Sequence, residues 1–223
     1  MSPLKSTPYW RLSGFYFFYF ASLGVLVPYW GLYLQWQGFS AQEIGELTAI
    51  LLATRIVAPN IWGWIADHQG QRMRIVRFAS LAGAICFSAI LLDNTFIWIA
   101  GVMLVFSFFW NASLPQFEAT TLQHLGDHSY HYSKIRLWGS IGFIITVVIL
   151  GSLLEKFDAN IVPYAMLLSM GAIWLITLTV PESASRHLHL THHPISTIVK
   201  RPEVIAFLSI CFLIQVSHGP YYT

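Results

Sequence analysis

Charge is scarce in this chain. Only 10 % of its 223 residues are Asp, Glu, Lys or Arg, against roughly a quarter in an ordinary soluble domain. So few charges cannot keep the outside of a globular protein wet. Cysteine is scarcer still. Cys86 and Cys211 are the two present, both inside apolar runs, which argues against a disulfide framework and for buried thiols. No charge block stands out either. The net charge is +2, and the basic residues sit in short loops between apolar runs, unlike the clustered footprint of a nucleic-acid binder. No nucleophile–base–orienter arrangement can be assembled from the Ser and His residues, so neither an enzyme nor a cofactor is expected.

Hydrophobic residues are abundant, at 56 %, with a mean hydropathy of +0.59. A helix needs about 20 apolar residues to cross about 30 Å of hydrocarbon. Seven stretches fit: Leu12–Gln35, Ile44–Ala66, Ile75–Leu92, Thr95–Glu118, Ile135–Leu154, Ile161–Val180 and Val204–Thr223. They lack the alternation of barrel strands and are too long for them. The first is also too long for a cleaved signal peptide and leads into further spans. The expected fold class is all-α, a polytopic membrane protein in the lipid bilayer.

Orientation follows from Lys and Arg. With the amino terminus in the cytoplasm, Lys5, Arg11, Arg72, Arg74, Arg77, Lys134, Arg136, Arg186, Lys200 and Arg201 fall on or near the inner side. Lys156 alone falls outside, and Arg55 lies within a span. The outer loops are short, whereas the inner connection Pro181–Glu203 is long, polar and His-rich. Three parts follow: a six-helix unit at residues 1–180, a cytoplasmic linker at 181–203, and a seventh span at 204–223. That span reads as the start of a second bundle, which is expected to be needed for function.

Between the second and third spans lies Gly63-Trp-Ile-Ala-Asp-His-Gln-Gly-Gln-Arg72. Asp67 ends a span, Gly70 permits a tight turn, and Arg72 begins a run of inner arginines. Composition alone reads this as a turn with positive-inside anchors. Its spacing resembles the G-x-x-x-D-x-x-G-x-[RK] signature of the major facilitator superfamily, matched by Gly63, Asp67, Gly70 and Arg72. His68 and Gln71 stand where that family usually carries basic residues. The resemblance implies a six-helix bundle of two inverted three-helix repeats, followed by the seventh transmembrane helix. It also implies a loop that gates the cytoplasmic side. No sequence identity between spans one to three and four to six shows the repeat directly.

Three charges fall in apolar surroundings. Arg55 is 12 residues before Asp67, about 18 Å deeper at ~1.5 Å per residue. A midplane Arg costs roughly 3 kcal/mol on insertion scales, so it should face a cavity or a partner such as Glu46 or a helix carbonyl. By helical spacing Pro59, Trp62 and Ala66 share its face. Glu118 and Arg136 each lie nine residues from Asp127. If the helices are regular up to that turn, both sit at equal depth, about 13 Å in, and can pair. If the helices end earlier, both sit at the inner interface.

Tyr132-Ser-Lys-Ile-Arg-Leu-Trp-Gly-Ser-Ile-Gly-Phe143 resembles the fifth helix of lactose permease and phenylpropionate permease relatives. Phe15-Tyr-Phe-Phe-Tyr-Phe20 followed by Pro28 is similar to their first. The resemblance implies that Glu118 and Arg136 bind the solute. Phe143 stands where lactose permease stacks a tryptophan on sugar, which tilts the expectation towards a small aromatic carboxylate such as 3-phenylpropionate. An anion would also suit Arg55. The expected function is import by a proton symporter, through alternating access, in the cell inner membrane. Rival readings are a sugar or nucleoside symporter and a non-transporting assembly or receptor subunit. His187, His189, His192 and His193 read as a solvated linker with no metal site.

Overall fold

The computed structural model describes residues 8–183 and 199–218. The chain divides into two units, Met1–Ser185 and Arg186–Thr223. The first holds six long helices: α1 Tyr9–Trp36, α2 Ala41–Gln69, α3 Arg72–Ser88, α4 Phe96–Leu125, α5 Tyr132–Leu154 and α6 Ile161–Thr179. A short 3-10 turn, Ala89–Leu91, extends α3, and a second, Gly126–His131, joins α4 to α5. The second unit contributes α7, Pro202–His218. It covers the first part of the expected span Val204–Thr223, the rest of which lies outside the described residues, as do the four linker histidines.

Helices α1, α2 and α6, and α3 with its extension, are long and apolar enough to cross a membrane. Phe96–Leu154 is one apolar helical run of 59 residues, and it reverses at Gly126–His131, so it supplies two crossings. The protein is a multi-pass membrane protein. Its outer surface agrees with that. Ile97 and Leu168 are 79 % and 77 % exposed, which suits hydrocarbon far better than water.

Local chemistry sets the ends of α2. Ser40 accepts the Glu43 N–H, and the Glu43 carboxylate accepts the Ser40 N–H at 2.8 Å, a reciprocal capping box. The Ser40 N–H and hydroxyl hold the Glu43 carboxyl below its usual range. At the other end Gly70 adopts φ +67°, which a side chain would strain. Helix α4 runs seven residues past Glu118, where hydropathy had ended the span. The Thr120 and Thr121 hydroxyls return to backbone carbonyls one turn back, so polar residues continue the helix while staying buried.

The packing order reveals the repeat. Helix α1 lies on α5 and α6, α4 lies on α2 and α3, and α3 lies on α6. Exchanging each helix for the one three places away maps this set onto itself. Because consecutive crossings reverse direction, the two halves have inverted topology. A trace survives in sequence: Pro28 and Pro115 each hold the twentieth position of helices beginning at Tyr9 and Phe96. The core between the halves is aromatic, with Phe15, Tyr16, Phe87, Phe106 and Phe117 fully buried.

Helices α1 and α5 meet backbone to backbone. A Cβ on Gly142 would overlap the Phe17 carbonyl, and one on Gly24 would come to 2.9 Å from the Phe143 carbonyl oxygen. Gly142→Ala is therefore expected to destabilise the bundle by about 1–3 kcal/mol or more through overpacking. A thermal melt of the purified protein in detergent checks this, and an unchanged midpoint contradicts it.

Candidate functional site

The site is built on three helices. Arg136 lies four residues into α5 and Glu118 seven residues before the end of α4. Arg136 Nε sits 3.8 Å from Glu118 Oε1. The two are thus brought together, but not by the equal offset expected. The six-residue 3-10 segment takes up much of the spacing on the α5 side, leaving Arg136 only about 6 Å along its helix. The contact is too long for a hydrogen bond. Glu118 is held instead by the Tyr132 hydroxyl, which donates to Oε1 at 3.0 Å.

Aromatic rings from α1 complete the setting. Arg136 Cζ lies 3.8 Å from the centroid of Phe20 and 5.6 Å from that of Tyr16, which is cation–π geometry. Phe15 stacks on Phe117, and Tyr19 stacks on Trp110 at 4.9 Å and 7°. Sequence reasoning named Phe143 as the stacking residue. It is half-buried on α5, two turns beyond Arg136, and the ring on the guanidinium is that of Phe20. The signal for Phe20 was present in the aromatic run Phe15–Phe20, but which of its six residues faces α5 depends on helix rotation.

Arg55 is exposed, and among the described residues it makes no hydrogen bond or ion pair. Glu46, its suggested partner, accepts from Gln42 instead. The buried stripe of α2 is Thr54, Ala58, Trp62 and Ala66, one residue aside from Arg55. Thr54 joins a polar cluster with α4: its hydroxyl is 2.8 Å from that of Ser107 and accepts from Asn111 Nδ2 at 3.3 Å. Sequence reasoning missed this cluster.

The loop between α2 and α3 forms a second centre. Arg72 donates to Asp67 Oδ1 at 2.5 Å and to Gln116 Oε1 of α4 at 2.7 Å. Gly63 faces Gln116, where a Cβ would make ordinary contact at 3.8 Å from its amide nitrogen.

Residues 9–223 match the sequence profile of the MFS_1 like family. The chain belongs to that family. This major facilitator superfamily member is 28 % identical to the probable 3-phenylpropionic acid transporter of Escherichia coli K12, over 98 % of the chain and 58 % of that protein. It is 26 % identical to the maltose permease of Geobacillus stearothermophilus, over 70 % of the chain and 40 % of that protein. Its fold matches the crystal structure of the nucleoside transporter NupG with a TM-score of 0.73 at 21 % identity, covering 96 % of the chain and 52 % of NupG. The chain thus spans little more than half the length of the Escherichia coli transporter and of NupG.

The two Arg72 contacts differ in weight. Asp67 is 66 % exposed, and a solvated ion pair contributes ~0–1 kcal/mol. Gln116 is 3 % exposed, and a buried hydrogen bond to a charged group is worth about 1.5–3 kcal/mol. Gln116→Leu is therefore expected to lower the melting temperature more than Asp67→Asn does. The reverse order contradicts this ranking.

Proposed function

We propose that the chain is part of a proton-coupled symporter that imports a small organic anion, best an aromatic monocarboxylate such as 3-phenylpropionate. Alternating access would rock this bundle against a second one around the Arg136 site. The observation that carries the reading is the state of Arg136. Its guanidinium lies on an aromatic ring, its nearest carboxylate is 3.8 Å away at Nε, and among the described residues no hydrogen bond engages Nη1 or Nη2. A planar fork in that state suits a carboxylate.

The Tyr132 hydrogen bond draws Glu118 off Arg136, which leaves the guanidinium charge for an anion that a neutral sugar does not supply. The half-buried Phe20 ring beside the guanidinium makes the setting apolar as well as cationic, which suits an aromatic acid. The name of the Escherichia coli relative supports the same solute class. In this reading the Gly63–Asp67–Gly70–Arg72 loop gates the inner side, and the amino terminus is cytoplasmic in the cell inner membrane. Transport rather than enzyme chemistry is the activity. A sugar or nucleoside symporter and a non-transporting subunit are the readings that the tests below separate from it.

In the protein expressed from its complete reading frame, Arg136→Ala and Glu118→Ala are each expected to cut 3-phenylpropionate affinity more than a hundredfold, a loss of about 3 kcal/mol. Insertion is expected to persist. Arg136→Lys recovers only part, because an ammonium lacks the fork. Equilibrium binding checks both, and near-normal binding in the two alanine variants moves the site to the Arg55 face of α2. Binding of a sugar or nucleoside in place of the acid favours the rival symporters, and binding without uptake the subunit.

Orientation has its own test. Single cysteines placed within residues 37–40 should react with an impermeant maleimide added outside intact cells, and cysteines within residues 187–193 should not. The opposite pattern inverts the topology.

A further inference from the structure

We infer that Gly139 and Phe20 form a clamp that fixes the plane of the Arg136 guanidinium, and that Gly139 thereby determines the site's preference for a carboxylate. The inference rests on the solute reading given above.

Gly139 is three residues beyond Arg136, so both lie on one face of α5. A Cβ at Gly139 would come to 2.8 Å from Cδ2 and 3.1 Å from Cγ of Phe20, and to 3.0 Å from Nη1 of Arg136. Both partners of the cation–π contact therefore converge on the one missing side chain. The recess is what lets the Phe20 ring reach 3.8 Å from the guanidinium carbon. Gly142, one turn further on, has a different role, because a Cβ there would meet the Phe17 backbone.

The consequence is directional. The Phe20 ring, with its centroid 3.8 Å from Cζ, obstructs approach from that side and leaves the Nη1–Nη2 edge open to an anion. The Nε side looks towards Glu118, which Tyr132 holds back. Nη1 and Nη2 carry no hydrogen bond among the described residues, and neither is sealed from solvent. An anion with two coplanar oxygens matches that edge. A neutral amide offers one acceptor and a repelling N–H₂. Fixing the plane before binding also removes an ordering cost that a free Arg side chain would carry.

An alanine at 139 forces the ring or the guanidinium to move, and the alignment is lost. The test uses the protein from its complete reading frame, with 3-phenylpropionate and its neutral amide, 3-phenylpropanamide, as probes. Gly139→Ala is expected to weaken the acid roughly tenfold and the amide less than about threefold. In a Phe20→Leu background the same substitution should change acid affinity by less than about threefold. Equal losses for acid and amide, or full additivity with Phe20→Leu, overturn the clamp.

A ligand-free measurement separates the clamp from the solute reading. Melting temperatures give the coupling between Phe20→Leu and Arg136→Met. That coupling should be present with glycine at 139 and absent with alanine. Its persistence with alanine overturns the clamp, whatever the solute. If wild type binds neither probe, the solute reading fails and the melting cycle still decides the clamp. Should Gly139→Ala not accumulate, Phe20→Leu alone must weaken the acid more than the amide. Equal weakening is then the contrary result.

Discussion

The site depends on how closely α1 and α5 approach. In hydrocarbon there is no hydrophobic drive between helices, so packing and hydrogen bonding must hold them. Here the contact runs the length of both helices. At one end Trp138 Nε1 donates to the Tyr9 hydroxyl, which in turn donates to the Lys134 carbonyl. In the middle Gly142 admits the Phe17 backbone. Beyond it, the Tyr29 hydroxyl donates to the Val147 carbonyl at 2.7 Å. With the two helices pinned at three levels, Phe20 on one and Arg136 on the other have little freedom of separation. A wider spacing would leave the guanidinium without its ring and the aromatic core without closure.

Charge use divides the arginines into two groups. Arg77 donates to the Thr177 and Val180 carbonyls, and Arg11 to the Thr179 carbonyl. Both neutralise the carboxy-terminal end of α6, where the helix dipole is negative and the carbonyls lack helical partners. Glu182 does the converse, accepting the Met73 N–H at the start of α3. Arg72 donates to Asp67 and Gln116. These cations hold helix ends, and their desolvation is offset by fixed acceptors. Arg136 and Arg55 are the exceptions. Arg55 is exposed on α2, and Arg136 near the start of α5 meets Glu118 only at 3.8 Å, so among the described residues neither side chain is tied to a helix end by a hydrogen bond.

Much of this was legible in the sequence, and the reasons differ by level. The spans could be found because hydrocarbon thickness sets a length and the apolar runs obey it. The motif loop could be found because Gly70 must sit at positive φ and Asp67 and Arg72 flank it. The pairing of Glu118 with Arg136 followed from a hairpin, although its geometry did not. A 3-10 segment of polar and aromatic residues looks the same in sequence as two regular helix ends meeting at a turn. Helix rotation was the least legible. The face shared by Arg55 and Trp62 was one residue off, and Phe20 could not be singled out from six successive aromatics. With apolar residues on every side of a membrane helix, the periodic contrast that fixes rotation in a soluble helix is missing.

Helix α4 shows how these levels join. Its middle is gripped by α2 through Asn111, Thr54 and Ser107. Four residues on, Pro115 lacks the N–H that the Asn111 carbonyl would otherwise receive, and such a break is where helices bend. Just beyond the break stand Gln116 and Glu118, two residues apart on one turn. Gln116 holds Arg72 and so the loop between α2 and α3. Glu118 is held by Tyr132 and faces Arg136. A turn of helix is stiff compared with a proline break, so displacement of either residue carries the other. Arg72 and Glu118 are therefore not independent features: one short stretch of α4 supplies the buried partner of the first and carries the second.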